Sequence, residues 1–423
     1  GREYEFNNDP RFRAEMEEVE KAGGRVVFSS GDVVFSSTAL IEAMEHAVDP
    51  YHQRIASLVR RDELRGDLLT DCIAGLRNST VVVVGEVIRD TYVLCDRPEV
   101  ASESPVMTLR PLESRMYDGG AAIIARHLAA MGARPILVTA LGSSPYAREM
   151  RSRLVSEGIQ VRDIHIDQGV PEKQRFLVGA QKVMKVDHVE QMVLDARQQD
   201  DFVALAQAAA QDATDGAIIA DFGLGLLSAP LVQRLAAAMR PHVRILAGDV
   251  SGRRAALRSM HDMDLLCPSE EEIRTAFRMY QEGLPAVVWK LMEETRTRRV
   301  MVTMASEGLI DFQPREGGSG KGWQSRLLSE HIPALNPIAI DALGCGDAML
   351  AASTLALCHG QPLLTSAFVG AVAAGLESQR VGNVPISARD LRRGVARVRD
   401  LHLAYVIPEV IPPRPGTPRR IAS

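Results

Sequence analysis

The chain has 423 residues, of which 46% are hydrophobic and 24% are charged, and its formal net charge is −5 at pH 7. This composition predicts a soluble globular protein and argues against a nucleic-acid partner, because no basic surplus exists to neutralise phosphates. No apolar stretch is long enough to span a membrane, and the five cysteines are odd in number and lack metal-ligand spacing, so we expect a cytoplasmic protein without a membrane partner.

The two ends of the chain differ from its middle. Residues 1–47 predict a helix, a short strand and a second helix, which together are too small to bury a core alone. Residues 48–78 are charged and repeat leucines at helical spacing, so they predict a helical linker. Residues 406–423 are rich in proline and arginine and predict a disordered tail. Because the chain begins at Gly1 rather than at a methionine, we expect it to be a piece of a longer polypeptide.

Strands and helices alternate through residues 79–405, which we take as the main domain. Residues 80–84 form a β-branched run that is typical of a strand buried on both faces, and six further runs separated by helical segments follow. This alternation predicts a mostly parallel sheet covered on both sides, with a ligand site at the C-terminal strand ends. Two stretches, about 93–117 and 174–187, alternate polar and apolar residues instead and predict a small β-lid. The six runs are 135–140, 161–166, 216–220, 243–249, 264–267 and 299–303.

The most informative stretch is Asp341-Ala342-Leu343-Gly344-Cys345-Gly346-Asp347, which precedes an apolar segment, 348–357, that predicts a buried helix. Glycines at a helix start allow a tight turn and direct several backbone N–H groups at one point, which makes an anion site. Asp347 lies just inside the predicted helix. A proton acceptor beside an anion site is what phosphoryl transfer requires. The same residues also fit a plain glycine turn in which Asp347 caps the helix.

Acidic and hydroxyl residues follow several predicted strands, at the edge where the ligand site is expected. Carboxylates that cluster at one edge of a sheet suit sugar hydroxyls and magnesium, which prefers oxygen ligands. Each residue alone also fits a helix cap, but the agreement of several strand ends favours a ligand site. The residues are Asp90, Asp221, Asp249, Ser269, Glu272 and Thr303.

The order of these motifs over residues 79–405 resembles that of the ribokinase-like, or PfkB, carbohydrate kinases. The similarity is greatest to the heptose-phosphate kinase domain that bacteria fuse to a cytidylyltransferase. It implies a ribokinase-like three-layer α/β/α sandwich with a mostly parallel central sheet and a small β-lid, and a homodimer formed through that lid. The matching motifs are Gly85-Glu86 with Asp90, Glu103-Ser104-Pro105-Val106, Gly119-Gly120, Gln181 with Lys185-Val186-Asp187, Asp221-Phe222-Gly223, and Asp341 to Asp347.

The resemblance also implies ATP and Mg²⁺ as cofactors and a role for each matching residue. Asp347 would be the general base, and the backbone N–H groups of Gly344, Cys345 and Gly346 would stabilise the transferring phosphoryl group. The cofactor-binding residues would be Thr303, Gly308, Ser269, Glu272 and Asp341, with Glu272 holding Mg²⁺ through water. The sugar or sugar phosphate would be bound by Asp90, Gly119, Gly120, Ile123, Lys185 and Asp221.

Several residues depart from the pattern of that family. Ile123 and His127 stand where asparagines usually contact sugar hydroxyls, and Leu224, Ser269 and Ala305 replace a lysine, an asparagine and a glycine. Two hypotheses therefore stay open. One is an ATP-dependent kinase of a sugar or sugar phosphate, with a heptose-phosphate-like acceptor favoured. The other is a weakly active or inactive protein of the same fold that binds sugars or nucleotides or acts as a scaffold.

Three further interpretations concern single segments. Residues 1–45 resemble the C-terminal remnant of a cytidylyltransferase, but the His-x-Gly-His element of that family is absent from this sequence. We therefore interpret Ser36-Ser37-Thr38 as a helix cap and do not expect cytidylyltransferase activity. A lone histidine such as His127 is more often structural than catalytic. Cys345, at a helix start, has the setting that lowers the pKa of a thiol.

Overall fold

The structure is a computed structural model, and it describes residues 17–19, 21, 50–96, 98–102, 104–179, 181–252, 256–315, 326–336 and 338–404. The chain divides into two units, residues 1–57 with 404–423, and residues 58–403. The predicted nucleotidyltransferase-like remnant lies outside the described residues except at 17–19 and 21, and the predicted tail lies outside them entirely. Glu103 of the predicted flap motif lies outside them too.

The described helices and strands are numbered separately in chain order. The helices are α1 Pro50–Val59, α2 Gly66–Gly75, α3 Ala121–Ala130, α4 Pro145–Ser156, α5 Ala196–Asp212, α6 Ala229–Met239, α7 Glu270–Phe277, α8 Leu284–Thr295, α9 Cys345–Cys358, α10 Leu363–Glu377 and α11 Ala388–Ala404. The strands are β1 Thr80–Gly85, β2 Val87–Cys95, β3 Glu99–Val100, β4 Met107–Thr108, β5 Pro111–Gly120, β6 Arg134–Leu141, β7 Gln160–His165, β8 Glu172–Val178, β9 Gln181–His188, β10 Gly216–Asp221, β11 Ile245–Val250, β12 Leu265–Leu266, β13 Val300–Thr303, β14 Leu309–Pro314 and β15 Leu327–Ile332.

Nine strands form the large sheet, in the order β15-β14-β13-β12-β11-β10-β1-β6-β7. The strands from β13 to β7 in this order run parallel, and β14 and β15 are antiparallel. Central strand β1 is buried from Val81 to Gly85, as its β-branched run predicts. The predicted α/β fold with a mostly parallel sheet is therefore confirmed. The hairpin of β14 and β15 is not predicted, because its polar and apolar residues do not alternate regularly.

Four strands form a second sheet, in the order β5-β2-β8-β9. Strand β2 pairs antiparallel with β5 and parallel with β8, and β8 and β9 are antiparallel neighbours. This is the predicted small β-lid, but it begins earlier than expected because β2 follows β1 after a single residue. Asp90 therefore follows β1 as predicted, but it lies within a strand of the second sheet.

The pleat of the second sheet separates its side chains into two faces. Strand register brings Asp90 opposite Lys173 on one face, and on that face Arg175 lies opposite both Tyr92 and Lys185. The other face has a group of apolar side chains beside polar ones such as Thr91 and Gln174. It carries Val93, Met116, Phe176 and Met184.

Two buried helices hold the C-terminal half of the domain in place. Every residue of α9 from Ala348 to Cys358 is buried, and α10 packs along it. Because such a helix is packed on all sides, it cannot shift without losing core contacts, so its N-terminus keeps a fixed position. Within the described part of the chain, none of the helices has the length and apolar character needed to cross a membrane.

Candidate active site

A cavity of about 350 Å³ lies between the second sheet and the C-terminal strand ends of the large sheet. This is the edge at which a ligand site is expected in a parallel sheet. Its walls come from the second sheet (Asp90, Lys173, Arg175, Lys185), the strand ends (Asp249, Val250, Thr303), the start of α7 (Ser269, Glu272), the start of α9 (Gly344, Gly346, Asp347) and the segment after α10 (Asn383).

The start of α9 has the backbone geometry of an anion site. Its N-cap, Gly344, has a φ of 79°, and a Cβ there would lie 2.7 Å from Asn383 Oδ1, so a larger residue does not fit. Among the described residues no side chain caps this helix. The N–H groups of its first turn are therefore available to a ligand. A Cβ built on Gly346 would meet no atom within 4 Å, so the backbone there is open to the cavity.

Asp347 lies in the first turn of α9 and is half-buried in the cavity wall. This burial raises the pKa of its carboxyl to about 8, and the Asp90 and Glu377 carboxylates add to that rise, whereas Lys173 lowers the pKa. A carboxylate of raised pKa is a stronger base than an exposed aspartate. Asp347 is thus suited to take a proton from a hydroxyl in the cavity.

The carboxylate of Asp90 is held from two sides. Arg175 Nη1 donates to its Oδ1 at 2.5 Å, and Asn383 Nδ2 donates to its Oδ2 at 2.8 Å. The adjacent diglycine leaves the room that this arrangement needs. A Cβ at Gly119 would lie 2.1 Å from Asp90 Oδ2, and one at Gly120 would lie 2.3 Å from a backbone oxygen. Gly120 lines the cavity, whereas Gly119 supports Asp90 from behind.

Ser269 and Glu272 form a capping box at the start of α7, in the cavity wall. Glu272 Oε2 accepts hydrogen bonds from the backbone N of Ser269 at 2.8 Å and from its Oγ at 2.7 Å. The sequence allows either a helix cap or a ligand site here. In the structure the two residues cap α7 and also line the cavity. The neighbouring Asp249 carboxyl has a pKa well above its usual range, because it is buried and faces Glu272 and Asp347.

These carboxylates fit magnesium bound together with phosphates. Within the described ranges, no three His, Cys, Asp or Glu side chains are grouped closely enough to hold a metal by themselves. Mg²⁺ is usually held by one or two carboxylates, with phosphate oxygens and water completing its coordination. Asp249 and Glu272 have the chemistry of such a pair.

Asp341 is buried and lies outside the cavity wall. Its Oδ1 accepts from Lys182 Nζ at 2.5 Å, and its Oδ2 accepts from the hydroxyl of the fully buried Tyr92. Burial acts to raise the pKa of Asp341, but hydrogen bonds from Lys182 and Tyr92 hold it below the usual value. Asp341 therefore joins the second sheet to the loop before α9, which differs from the predicted contact with ATP.

Four other predicted site residues, Cys345 among them, do not line this cavity. Ile123 is fully buried within α3. The carboxylate of Asp221 accepts from the backbone N of Gly223 at 2.9 Å and of Ala256 at 2.6 Å, so it holds a turn. Gly308 has a φ of 93°, and a Cβ there would lie 2.2 Å from Ile332 O, so it also shapes the backbone.

The expected properties of Cys345 and His127 meet different outcomes. Burial and the carboxylates of Glu377, Asp341 and Asp347 raise the pKa of the Cys345 thiol to about 12, so the expected lowering is wrong. Burial lowers the pKa of His127 to about 3, and its Nδ1 accepts from the backbone N of Ile386 at 3.0 Å. The structural interpretation of His127 is confirmed.

Sequence reasoning misses several residues of the cavity wall. Lys173 and Arg175 lie at the start of an alternating stretch. A correct prediction of strand pairing would place Lys173 opposite Asp90 and Arg175 opposite Lys185, and this pairing is the signal that could identify them. Asn383 follows α10 in an irregular segment, where no periodic pattern points to it. Only the tertiary structure brings Asn383 to the cavity.

Comparison with known proteins agrees with the fold. Residues 78–388 match the model of the pfkB family of carbohydrate kinases. The chain is similar to the bifunctional protein HldE of Methylobacillus flagellatus, at 27% identity over 319 residues that cover 74% of this chain and 62% of that protein. It is also similar to HldE of Pseudomonas paraeruginosa, at 30% identity over 320 residues, with 75% and 64% covered. The chain thus spans less than two thirds of the length of these relatives.

Two solved structures share the fold. One is phosphofructokinase-2 from Escherichia coli in complex with potassium, with a TM-score of 0.60, 17% identity, and coverage of 76% of this chain and 99% of that chain. The other is ribokinase from Thermotoga maritima, with a TM-score of 0.52, 15% identity, and coverage of 76% and 99%.

The raised pKa of Asp347 predicts that its charge opposes folding. The folded state keeps the proton up to a pH of about 8, so the stabilising effect of the raised pKa is complete below the unfolded pKa and is lost as pH rises through about 8. We expect Asp347→Asn to unfold at higher urea concentration than the wild type at pH 9, with a gain on the order of a few kcal/mol, and at a similar concentration at pH 4. An Asn variant less stable than the wild type at pH 9 would contradict this.

Proposed function

Because the chain belongs to the pfkB family of carbohydrate kinases, as its motifs predict, we propose that it transfers a phosphoryl group from ATP to a hydroxyl of a sugar phosphate. One observation carries the proposal. Asp347, the uncapped start of α9 and the carboxylate of Asp90 face a single cavity. A base, an anion site and a sugar-binding acid are thereby combined, and positioning with electrostatic stabilisation suffices for this chemistry.

In the proposed reaction, the acceptor hydroxyl attacks the γ-phosphorus of ATP while Asp347 takes the hydroxyl proton. The new O–P bond forms as the bond from the γ-phosphorus to the β–γ bridging oxygen breaks, and ADP leaves with that oxygen. The N–H groups at the start of α9 stabilise the negative charge on the transferring group. Mg²⁺, when bound, supplies positive charge to the phosphates, and Asp249 and Glu272 are the residues that would hold it.

The cations of the second sheet favour an acceptor that already carries a phosphate. Arg175 pairs with Asp90, and Lys185 pairs with Asp187 at 3.0 Å. Lys173 is half-buried in the cavity wall and, over the described residues, forms no ion pair. Burial lowers its pKa. An anionic group on the acceptor would offset the cost of burying this charge. A heptose phosphate is the acceptor that the sequence favours.

The departures from the family pattern do not reach the proposed base. Ile123 lies in the core, and Ser269 keeps its place in a capping box. Ala305, which stands in place of a glycine, has a φ of 50°, so the turn keeps a glycine-like backbone. These observations favour the kinase over an inactive binding or scaffolding protein.

We expect the purified chain to form ADP from ATP and Mg²⁺ with at least one acceptor from a panel of fructose 6-phosphate, mannose 6-phosphate, a heptose 7-phosphate and the corresponding free sugars. Asp347→Asn should lower kcat by about two to four orders of magnitude, because it removes the base. For the wild type, kcat/KM should rise as pH increases through about 8. Asp195→Asn, which keeps the cap of α5, is the matched control. ATP binding in calorimetry without turnover on any acceptor would favour the inactive protein.

Replacing Lys173 tests the phosphate-bearing acceptor. Lys173→Met keeps most of the side-chain volume and removes the charge, so we expect the KM of the phosphorylated acceptor to rise about tenfold or more. The KM of ATP and the activity on the matching free sugar should stay unchanged. The control is Lys290→Met, since Lys290 lies on α8 over the ring of Phe277. Equal losses for the phosphorylated and the free sugar would contradict the assignment of Lys173.

We also propose that a second copy of this chain covers the exposed apolar residues on the face of the second sheet that is turned away from the cavity. Leu112 and Met116 of β5 are 66% and 61% exposed, and Met184 of β9 is 44% exposed. A patch of exposed apolar side chains is a common mark of a protein interface, and a two-fold axis would place two equal patches together. The homodimer implied by the family resemblance supports this occupant.

Sedimentation velocity tests the dimer. We expect the wild type to sediment as a dimer, and Met116→Glu to shift it to monomer because the charge would be buried in the interface. Val155→Glu, at an exposed apolar position on α4, is the control and should leave the dimer intact. A monomeric wild type, or a dimer insensitive to Met116→Glu, would show that this face is not the interface.

A further inference from the structure

Three consecutive residues after α10, segment 382–384, contact three buried carboxylates. We call this segment the strap. The contacts are Gly382 N to Asp341 Oδ2 at 3.0 Å, Asn383 Nδ2 to Asp90 Oδ2 at 2.8 Å, and Val384 N to Glu377 Oε1 at 2.9 Å. Gly382 has a φ of 75°, and a Cβ there would lie 2.4 Å from the ring of Tyr117, so the path of the strap is closely fixed.

Asn383 is the residue of the strap that reaches the cavity. It is 3% exposed and lines the cavity wall. Its Nδ2 makes a second hydrogen bond, to the backbone O of Asp118 at 3.2 Å. Its Oδ1 has no partner among the residues that the structure describes, and it lies against Gly344, where an added Cβ would come within 2.7 Å. The amide thus stands between Asp90 and the start of α9.

We propose that Asn383 is a positioning residue that keeps the carboxylate of Asp90 in register with the base and the anion site. The inference rests on the proposed function, because it concerns the acceptor that Asp90 would hold. Arg175 ties Asp90 to the second sheet alone, whereas Asn383 ties it to the strap, and the amide of Asn383 lies against Gly344 at the start of α9. Both groups that Nδ2 contacts are acceptors, so the position requires a donor.

The chemistry of the position predicts an order among its variants. Asn383→Ala removes the donor and leaves Arg175 on Asp90, so the acceptor kcat/KM should fall about tenfold with the KM of ATP unchanged. Asn383→Asp keeps the shape of the side chain, but it replaces the donor by an oxygen that repels Asp90, so its loss should be larger. If the side chain acted only by filling space, Asn383→Asp would be the milder change of the two. That reversed order would overturn the proposal.

A double-mutant cycle with Asp90 measures whether the effect of Asn383 on acceptor kcat/KM depends on the Asp90 carboxylate. We expect Asn383→Ala to cause no further loss of acceptor kcat/KM in an Asp90→Asn background, since its effect passes through Asp90. Additive losses would overturn the proposal. Thr295→Val, a buried polar change on α8, controls for lost stability and should leave the acceptor KM unchanged. Should Asn383→Asp fail to fold, the Ala variant and the cycle still decide.

The acceptors for these measurements are fructose 6-phosphate, mannose 6-phosphate and a heptose 7-phosphate. A wild type that phosphorylates none of the three would overturn the proposed function together with the role of Asn383. A wild type that is active, with the order of the variants reversed or the losses additive, would overturn the role of Asn383 alone.

Discussion

The burial of a carboxyl at the start of α9 is the constraint on which the rest of the site depends. Asp347 shares the cavity with Asp90 and Asp249, so each of these carboxyls that loses its proton adds negative charge where anionic phosphates would have to bind. Such a site needs compensating groups that are fixed in place. The start of α9 supplies oriented N–H groups, and its burial between core elements keeps them there. The second sheet supplies the cations.

Two carboxylates, Asp90 and Asp341, join the second sheet to the segments around the start of α9, and only Asp90 of the two lines the cavity. Asp90 lies in the cavity wall and binds Arg175 and the strap, whereas Asp341 lies behind it and binds Tyr92 and Lys182. Asp341 therefore links β2 and β9 to the loop before α9, and Asp90 links β2 and β8 to the strap. Because both links are buried or half-buried charge contacts, loss of one partner leaves an uncompensated charge. These contacts couple the second sheet to the start of α9.

The elements that follow from local pattern are the ones that sequence reasoning predicts well. The β-branched run of β1 and the glycine-rich start of α9 each have a short-range physical cause, and both lie where predicted. The roles of Ile123 and Asp221 rest on matching motif positions, but their side-chain contacts depend on packing between distant segments. Asn383 has no local signal, because its partners are hundreds of residues away in the sequence. A motif position predicts where the backbone runs better than what its side chain touches.

The distribution of these contacts separates the reaction from the choice of acceptor. The groups that suit phosphoryl transfer lie at the start of α9, where backbone geometry rather than side-chain identity makes the anion site. The groups proposed to bind the acceptor come from β2, β8 and the strap, three segments outside the helix that carries Asp347. The side chain of Asn383 therefore reaches the cavity from the strap, whereas Ile123 and His127 of α3 are buried. Substitution on these segments would change the proposed acceptor contacts without altering Asp347.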